Sequence, residues 1–119
     1  MFQTAAYCQG TLDDLLAAMR KTDVPDQYHN ALEEHYKDKS IFGKAYIKEV
    51  RHVWGETVVL LSTEPNGIRP DPITIKVFLT YEQSKSAGWL EKGQKVYFSG
   101  YVRNVSRTTI VVRQGTIKK

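Results

Sequence analysis

The sequence predicts a mainly β domain: five short strands closing into a barrel, two helices ahead of them, and a short helix between the third and fourth strands. Three observations carry this. In the stretch 96–102, Val96, Phe98, Gly100 and Val102 fall on one face and Tyr97, Ser99 and Tyr101 on the other, the period of a half-buried strand. Ile73, Ile75, Val77 and Leu79 alternate with Thr74, Lys76 and Phe78 in the same way. Gly100 in mid-strand has no side chain to pack, and so marks a bend or bulge of the kind that turns a sheet at a barrel corner.

A chain of 119 residues can form one domain with a real core and is too short for two. At 41% hydrophobic and 25% charged residues it is not a disordered chain. No apolar run approaches the roughly 20 residues of a membrane span. The start, Met1 to Cys8, lacks a basic segment followed by an apolar one, so no signal peptide is visible. The expectation is a cytoplasmic protein, with an exported protein whose signal lies outside this chain as the alternative. Cys8 is the only cysteine, which excludes an intramolecular disulfide and a thiolate zinc site. With no histidine or basic cluster near it, Cys8 reads as a non-catalytic thiol.

The formal charge of +4 is unevenly placed. Residues 1–39 hold four Lys and Arg against seven Asp and Glu, whereas residues 40–119 hold thirteen against six. An acidic leader therefore precedes a basic body, and a basic body calls for a polyanion or an acidic protein as partner.

Along the leader, Thr11 suits a helix cap, with Asp13 and Asp14 near the positive end of the helix dipole. Leu12, Leu15, Leu16 and Met19 make one apolar stripe at helical spacing. Asp23-Val24-Pro25-Asp26 breaks and restarts the helix, Pro25 fitting its first turn. Tyr28, Ala31, Leu32, His35 and Tyr36 form the second stripe. Residues 1–39 thus read as a helical hairpin packed on the barrel, and residues 40–119 as the barrel.

The first strand is expected at 41–50, with Ala45 and Ile47 inward, Lys44, Tyr46 and Lys48 outward, and a bulge near Glu49. A turn falls at Trp54-Gly55-Glu56, and Thr57 to Leu61 is an apolar run covered on both faces. Residues 64–72 hold three of the four prolines and an Asn66-Gly67 turn signal, hence an exposed loop. After the strand at 73–79 comes a short helix within 81–90, then the strand at 95–102, a turn at 104–107, and a last strand at 108–114 with Ile110 and Val112 inward.

Five strands with a helix between the third and fourth is the order of a Greek-key OB-fold barrel. Residues 40–117 more narrowly resemble the bacterial tRNA-anti-like OB-fold family. The likeness lies in Gly43-Lys-Ala-Tyr-Ile-x-x-Val50, in Ile75-x-Val77 and in Leu90-x-x-Gly93-x-x-Val96-x-Phe98-x-Gly100. It covers about two-thirds of the chain, through motifs that are mainly structural. It implies the fold, and a likeness to tRNA anticodon-binding domains. Residues 1–39 carry no such resemblance.

An enzyme needs a nucleophile, base or metal in a defined constellation. His29 and His35 are six residues apart, on opposite sides of a helix, and His35 reads as a packed core residue. Asp13 and Asp14 are adjacent and do not converge. No phosphate loop is present, so no catalysis and no cofactor are expected. A binding face is the better candidate, because single strands are held by basic grooves with aromatic platforms. The outward set Lys44, Tyr46, Lys48, Thr74, Lys76 and Phe78 supplies both, on strands flanking the second, and Phe78 stands opposite the core phase of its strand. Arg103, Arg107 and Arg113 are expected to cluster near the last hairpin, in reach of phosphates. Trp54, at a turn, is expected to cap the barrel end, with stacking on a base as the alternative. The expected binding residues are Lys44, Tyr46, Lys48, Lys76, Phe78, Arg103 and Arg107, and the expected partner is single-stranded DNA or RNA. The alternative is a protein-interaction or assembly module, meeting a protein partner or a second copy through the helical hairpin and Phe78.

Overall fold

The computed structural model describes residues 10–19, 25–64, 73–85, 87–106 and 108–119, and at Thr11, Asp13, Asp26 and His29 the backbone alone. The elements are β1 (Gly10–Thr11), α1 (Leu12–Met19), α2 (Asp26–Tyr36), β2 (Ser40–Val53), β3 (Glu56–Ser62), β4 (Thr74–Leu79), α3 (Tyr81–Lys85), a 3-10 turn (Ala87–Trp89), β5 (Lys95–Val105) and β6 (Thr109–Lys118). Strands β2 to β6 make a closed barrel in the order β2-β3-β4-β6-β5, with β5 returning to β2. Every pair is antiparallel except β4 with β6. With the helical connector between β4 and β5, this is the OB-fold barrel that the sequence predicts.

Closure depends on β2. Its first half, Ser40 to Tyr46, pairs with β5, and its second half, Tyr46 to Val53, pairs with β3. The register slips between Ile47 and Glu49, which leaves Lys48 as the extra residue of a bulge and lets the strand turn from one sheet into the other. The edge that β3 does not reach is covered by β1, parallel to Ile41 and Phe42. Covering an edge removes unpaired backbone groups that would otherwise template aggregation.

The alternation seen in the sequence sorts the side chains. Ile41, Ala45, Ile47, Val59, Leu61, Ile75, Val77, Val96, Phe98, Val102, Ile110 and Val112 are buried in one core. Gly100 lies where β5 slips against β6 between Ser99 and Tyr101. A Cβ there would stand 2.5 Å from Val112 Cγ1 and 2.9 Å from the Arg113 carbonyl oxygen. Only glycine allows the two strands to approach this closely.

The barrel interior is filled at one end by α1. Leu12, Leu15, Leu16 and Met19 join the same core as the strands. Gly43 and Ala45 are the small inward residues of β2 that leave them room, and a Cβ at position 43 would stand 2.6 Å from Leu12 Cβ. Helix α2 packs beside β5, with Leu32 buried and Tyr28 and Tyr36 against the core. Two of the leader's acidic residues meet the basic body. Glu33 Oε2 accepts the Val105 amide at 3.0 Å, and Asp38 Oδ1 accepts from Arg113 Nη2 at 3.1 Å. Burial, then the carboxylate of Asp14 and the phenol of Tyr28, push the Tyr36 phenol up from its ordinary pKa, so α1 and α2 lie within electrostatic reach of each other.

Several boundaries differ from expectation. Thr11 pairs with Phe42 in β1 and directly precedes α1, and its side chain, expected as a cap, lies outside the described residues. Pro25 precedes α2 in extended conformation instead of sitting in its first turn. Ala31 and His35 are exposed, and His35 meets the Tyr36 ring edge-on at 5.0 Å. His35 is therefore not a core residue, because α2 rests on the barrel along a narrow line through Tyr28, Leu32 and Tyr36. Asn104 and Val105 continue β5, and β6 runs on to Lys118 because Gly115 and a positive φ at Gln114 restore the inward phase at Ile117. Cys8, the loop 65–72 and the His29 side chain lie outside the described residues.

Leu15→Ala should destabilise the whole domain by about 2–5 kcal/mol, read as one cooperative urea transition at lower midpoint. A loss under roughly 1 kcal/mol would place α1 outside the cooperative core. Gly100→Ala should cost about 1–3 kcal/mol through overpacking, measured in the same way.

Candidate functional site

The outward residues of β2, β3 and β4 form rows across the sheet. Tyr46 pairs with Ser62, and Ser62 with Thr74. Glu49 pairs with Leu60, and Leu60 with Lys76. Arg51 pairs with Val58, and Val58 with Phe78. Val59 and Leu61 point into the core, so Val58 and Leu60 belong to this outer face. Val58 is itself covered, 5% exposed, and Leu60 is partly open, so β3 lies low between polar and basic side chains on both flanks.

Phe78 is half-buried, and Lys76 Nζ lies 5.6 Å from its ring centre, a cation–π arrangement. Lys48, projected by the bulge, spans β3 and donates to Thr74 Oγ1 at 3.2 Å. Tyr46 is half-buried at the margin of the face. The helices α1 and α2 pack on β2 and β5, and Lys76 stands beside Phe78.

Arg51 contributes less free charge than its position offers. Its Nε donates to Glu49 Oε2 and its Nη2 to Glu49 Oε1, both side chains being about half exposed. That hydrogen bond with Arg51, then the charges of Arg51 and Lys92, hold the Glu49 carboxyl below its ordinary pKa. The pair's contribution to stability is present above the ordinary carboxylate pKa, and is lost as pH falls through the lowered folded value.

The β2–β3 hairpin runs past the end of β4 and carries Trp54 and Gly55 at its tip, both with positive φ. Trp54 is 97% exposed. It does not cap the barrel, because the tip lies about 10 Å beyond the Arg51–Val58–Phe78 row at roughly 3.3 Å per residue. A tight two-residue turn places its side chain outside the hairpin, and sequence alone does not show how far the hairpin protrudes.

Other expected site residues separate. Lys44 pairs with Tyr97 on β5, so it belongs to the other side of the barrel from Lys76 and Phe78. Arg103 is exposed on β5, at the slip in register between Val102 and Asn104. Arg113 is bonded to Asp38 and stands 5.5 Å from the centre of the Tyr101 ring. Arg107 lies outside the described residues, and so does the expected three-arginine cluster as a whole. Among the described residues no group of three or more His, Cys, Asp or Glu side chains is placed to hold a metal ion. No helix among them is long and apolar enough to cross a membrane.

No family model matches the chain, and no curated protein sequence is similar to it. Solved structures do share its architecture. A candidate nucleic acid-binding lipoprotein from Klebsiella pneumoniae superposes with a TM-score of 0.64 at 13% identity, covering 100% of this chain and 99% of its own. A candidate aspartyl-tRNA synthetase from Leishmania major gives 0.53 at 14% identity over 93% of this chain, and the aspartyl-tRNA synthetase of Entamoeba histolytica 0.51 at 12% over 71%. This chain spans 19% of each synthetase. At these identities the likeness is one of fold: the chain is an OB-fold protein.

In a carboxyl NMR titration Glu49 should titrate below the ordinary glutamate value, and Arg51→Ala should return it upward toward that value. An unchanged Glu49 titration in that variant would show that Arg51 does not hold the carboxylate.

Proposed function

We propose that this OB-fold domain is a non-catalytic binding protein for single-stranded nucleic acid, taken on the outer face of β2, β3 and β4. The observation that carries the proposal is Phe78, an aromatic ring on the solvent side of its strand with the Lys76 ammonium 5.6 Å from its centre. A ring beside a cation offers a base a stacking surface and its phosphate a counter-charge. Lys48 supplies a second cation on the opposite flank, Tyr46 a second ring, and Trp54 an exposed ring at the tip of the hairpin. Leu60, partly exposed between the two flanks, suits a base face, and the absence of any needed hydrogen-bond pattern makes the binding tolerant of sequence.

The charge balance of residues 40–119 supports a polyanionic ligand. The full-length superposition on a candidate nucleic acid-binding protein is in keeping with it. That protein's description as a lipoprotein also fits the exported alternative for this chain's location. The assembly reading relied on apolar stripes of the leader, and Leu12, Leu15, Leu16, Met19 and Leu32 are buried within this chain's own core.

Anisotropy with labelled single-stranded DNA and RNA tests the proposal and separates the two ligands. Neutralising three to five phosphates should give a log–log salt slope of about −2 to −3.5. Lys48→Gln and Lys76→Gln should each flatten it by roughly 0.7. Phe78→Ala and Trp54→Ala should each cost about 1–3 kcal/mol of binding. A folded wild-type protein that binds neither strand at low salt would refute the function.

A further inference from the structure

The most basic surface of the barrel is not the one just described. On the opposite side, the outward residues of β2's first half, β5 and β6 form a second grid. Ser40 pairs with Tyr101 and Tyr101 with Arg113, Phe42 with Ser99 and Ser99 with Thr116, Lys44 with Tyr97 and Tyr97 with Lys118. The three stretches 40–46, 95–103 and 113–119 contain Lys44, Lys95, Arg103, Arg113, Lys118 and Lys119, and not one Asp or Glu. The strands of the first face, 46–53, 56–62 and 74–79, set three cations against two carboxylates. The positive charge of the body is therefore concentrated on the β2–β5–β6 side.

This side also exposes aromatic rings. Phe42 is 43%, Tyr97 48% and Tyr101 41% exposed. Phe42 sits across from Ser99, two residues from each tyrosine on the neighbouring strand, so its ring is a diagonal neighbour of both, roughly 7–8 Å from each. Lys95 Nζ stands 5.9 Å from the Tyr97 ring, and Arg113 5.5 Å from that of Tyr101. Asp38, bonded to Arg113 at 3.1 Å, is the carboxylate at the border of the grid. Between the rings, Ser99 and Thr116 hydroxyls are joined at 2.7 Å, leaving a low polar saddle.

We infer that the β2–β5–β6 face is a second lane for single-stranded nucleic acid, continuous with the first. Interleaved rings and ammonium groups match a strand of bases and phosphates. An acidic protein surface would use the charge but leave three rings without flat partners, and a second copy of this chain would bring like charge onto like. Tyr46 links the lanes, since it pairs with Ser62 on one side of β2 and with Lys95 on the other. A strand seated on Phe78 and Lys48 passes over Tyr46 onto Lys44 and Tyr97. The inference takes its ligand class from the function proposed above and its location from these residues alone.

The test is anisotropy with labelled single-stranded DNA of roughly 20 nucleotides, longer than one OB site needs, at about 50 and 200 mM salt. Two variants of the full chain are compared with wild type, each first checked for an unchanged circular dichroism melt: Phe42→Ala/Tyr97→Ala/Tyr101→Ala and Lys44→Gln/Lys118→Gln. The triple variant should lose about tenfold or more in affinity. The lysine variant, which removes no packed ring, should flatten the salt slope by about 1.4, two phosphates' worth. Wild-type affinity and slope in both folded variants would overturn the second lane while leaving the first intact. Loss in these variants with Phe78→Ala and Trp54→Ala silent would instead uphold the second lane and remove the first. A wild-type protein that does not bind the strand removes both. If the triple variant melts early, the lysine variant's slope decides alone.

Discussion

One strand with two partners organises this molecule. β2 gives its first half to β5 and its second half to β3, and the extra residue at Lys48 makes the change of direction. A five-stranded sheet without that turn would leave two open edges. With it, the backbone groups of the sheet find partners around the barrel, and the short β1 covers the stretch of β2 that β3 does not reach. The bend also decides where outward side chains go. Residues before it belong to a face shared with β5 and β6, residues after it to a face shared with β3 and β4, and Tyr46 stands between.

The interior follows from the same geometry. Close approach of β5 and β6 at Gly100 and of β2 and α1 at Gly43 requires positions with no Cβ. Small residues in the wall would leave voids, which proteins rarely tolerate at their packing density. The leucines of α1 fill that space. The short α3 buries none of its own residues, so the N-terminal helix supplies an apolar plug that the connector between β4 and β5 does not. The acidic leader is thereby tied to the basic body through packing, through Glu33 on the Val105 amide and through Asp38 on Arg113.

Charge and exposed rings coincide on the outer surface. Cations stand within about 6 Å of ring centres at Phe78, Tyr97 and Tyr101. Single-strand binding uses such pairs because a base has a flat face and each nucleotide carries one negative charge. On the first face part of the positive charge is cancelled by Glu49 on Arg51. On the second, Asp38 pairs with Arg113 at the border of the grid.

What was legible in the sequence was whatever depends on neighbours along the chain. The inward set of β4 and β5, the bulge after Ile47, the helical stripe of α1 and the order of elements all follow from periods of two and 3.6 residues, which act locally. The outward phase of Phe78 was readable for the same reason. Features set by residues distant in the chain were not. Lys44 and Lys48 share a phase in the sequence, yet the bend in β2 sends them to different faces. Arg113 is bonded to Asp38, 75 positions away, a partner that no local period shows. Trp54 is exposed because β3 and β2 outrun β4, a matter of relative strand length in space. Alternation determines which side of a strand a residue occupies, but only barrel closure determines which residues that side will meet, since pairing partners are chosen by the packing of the whole chain.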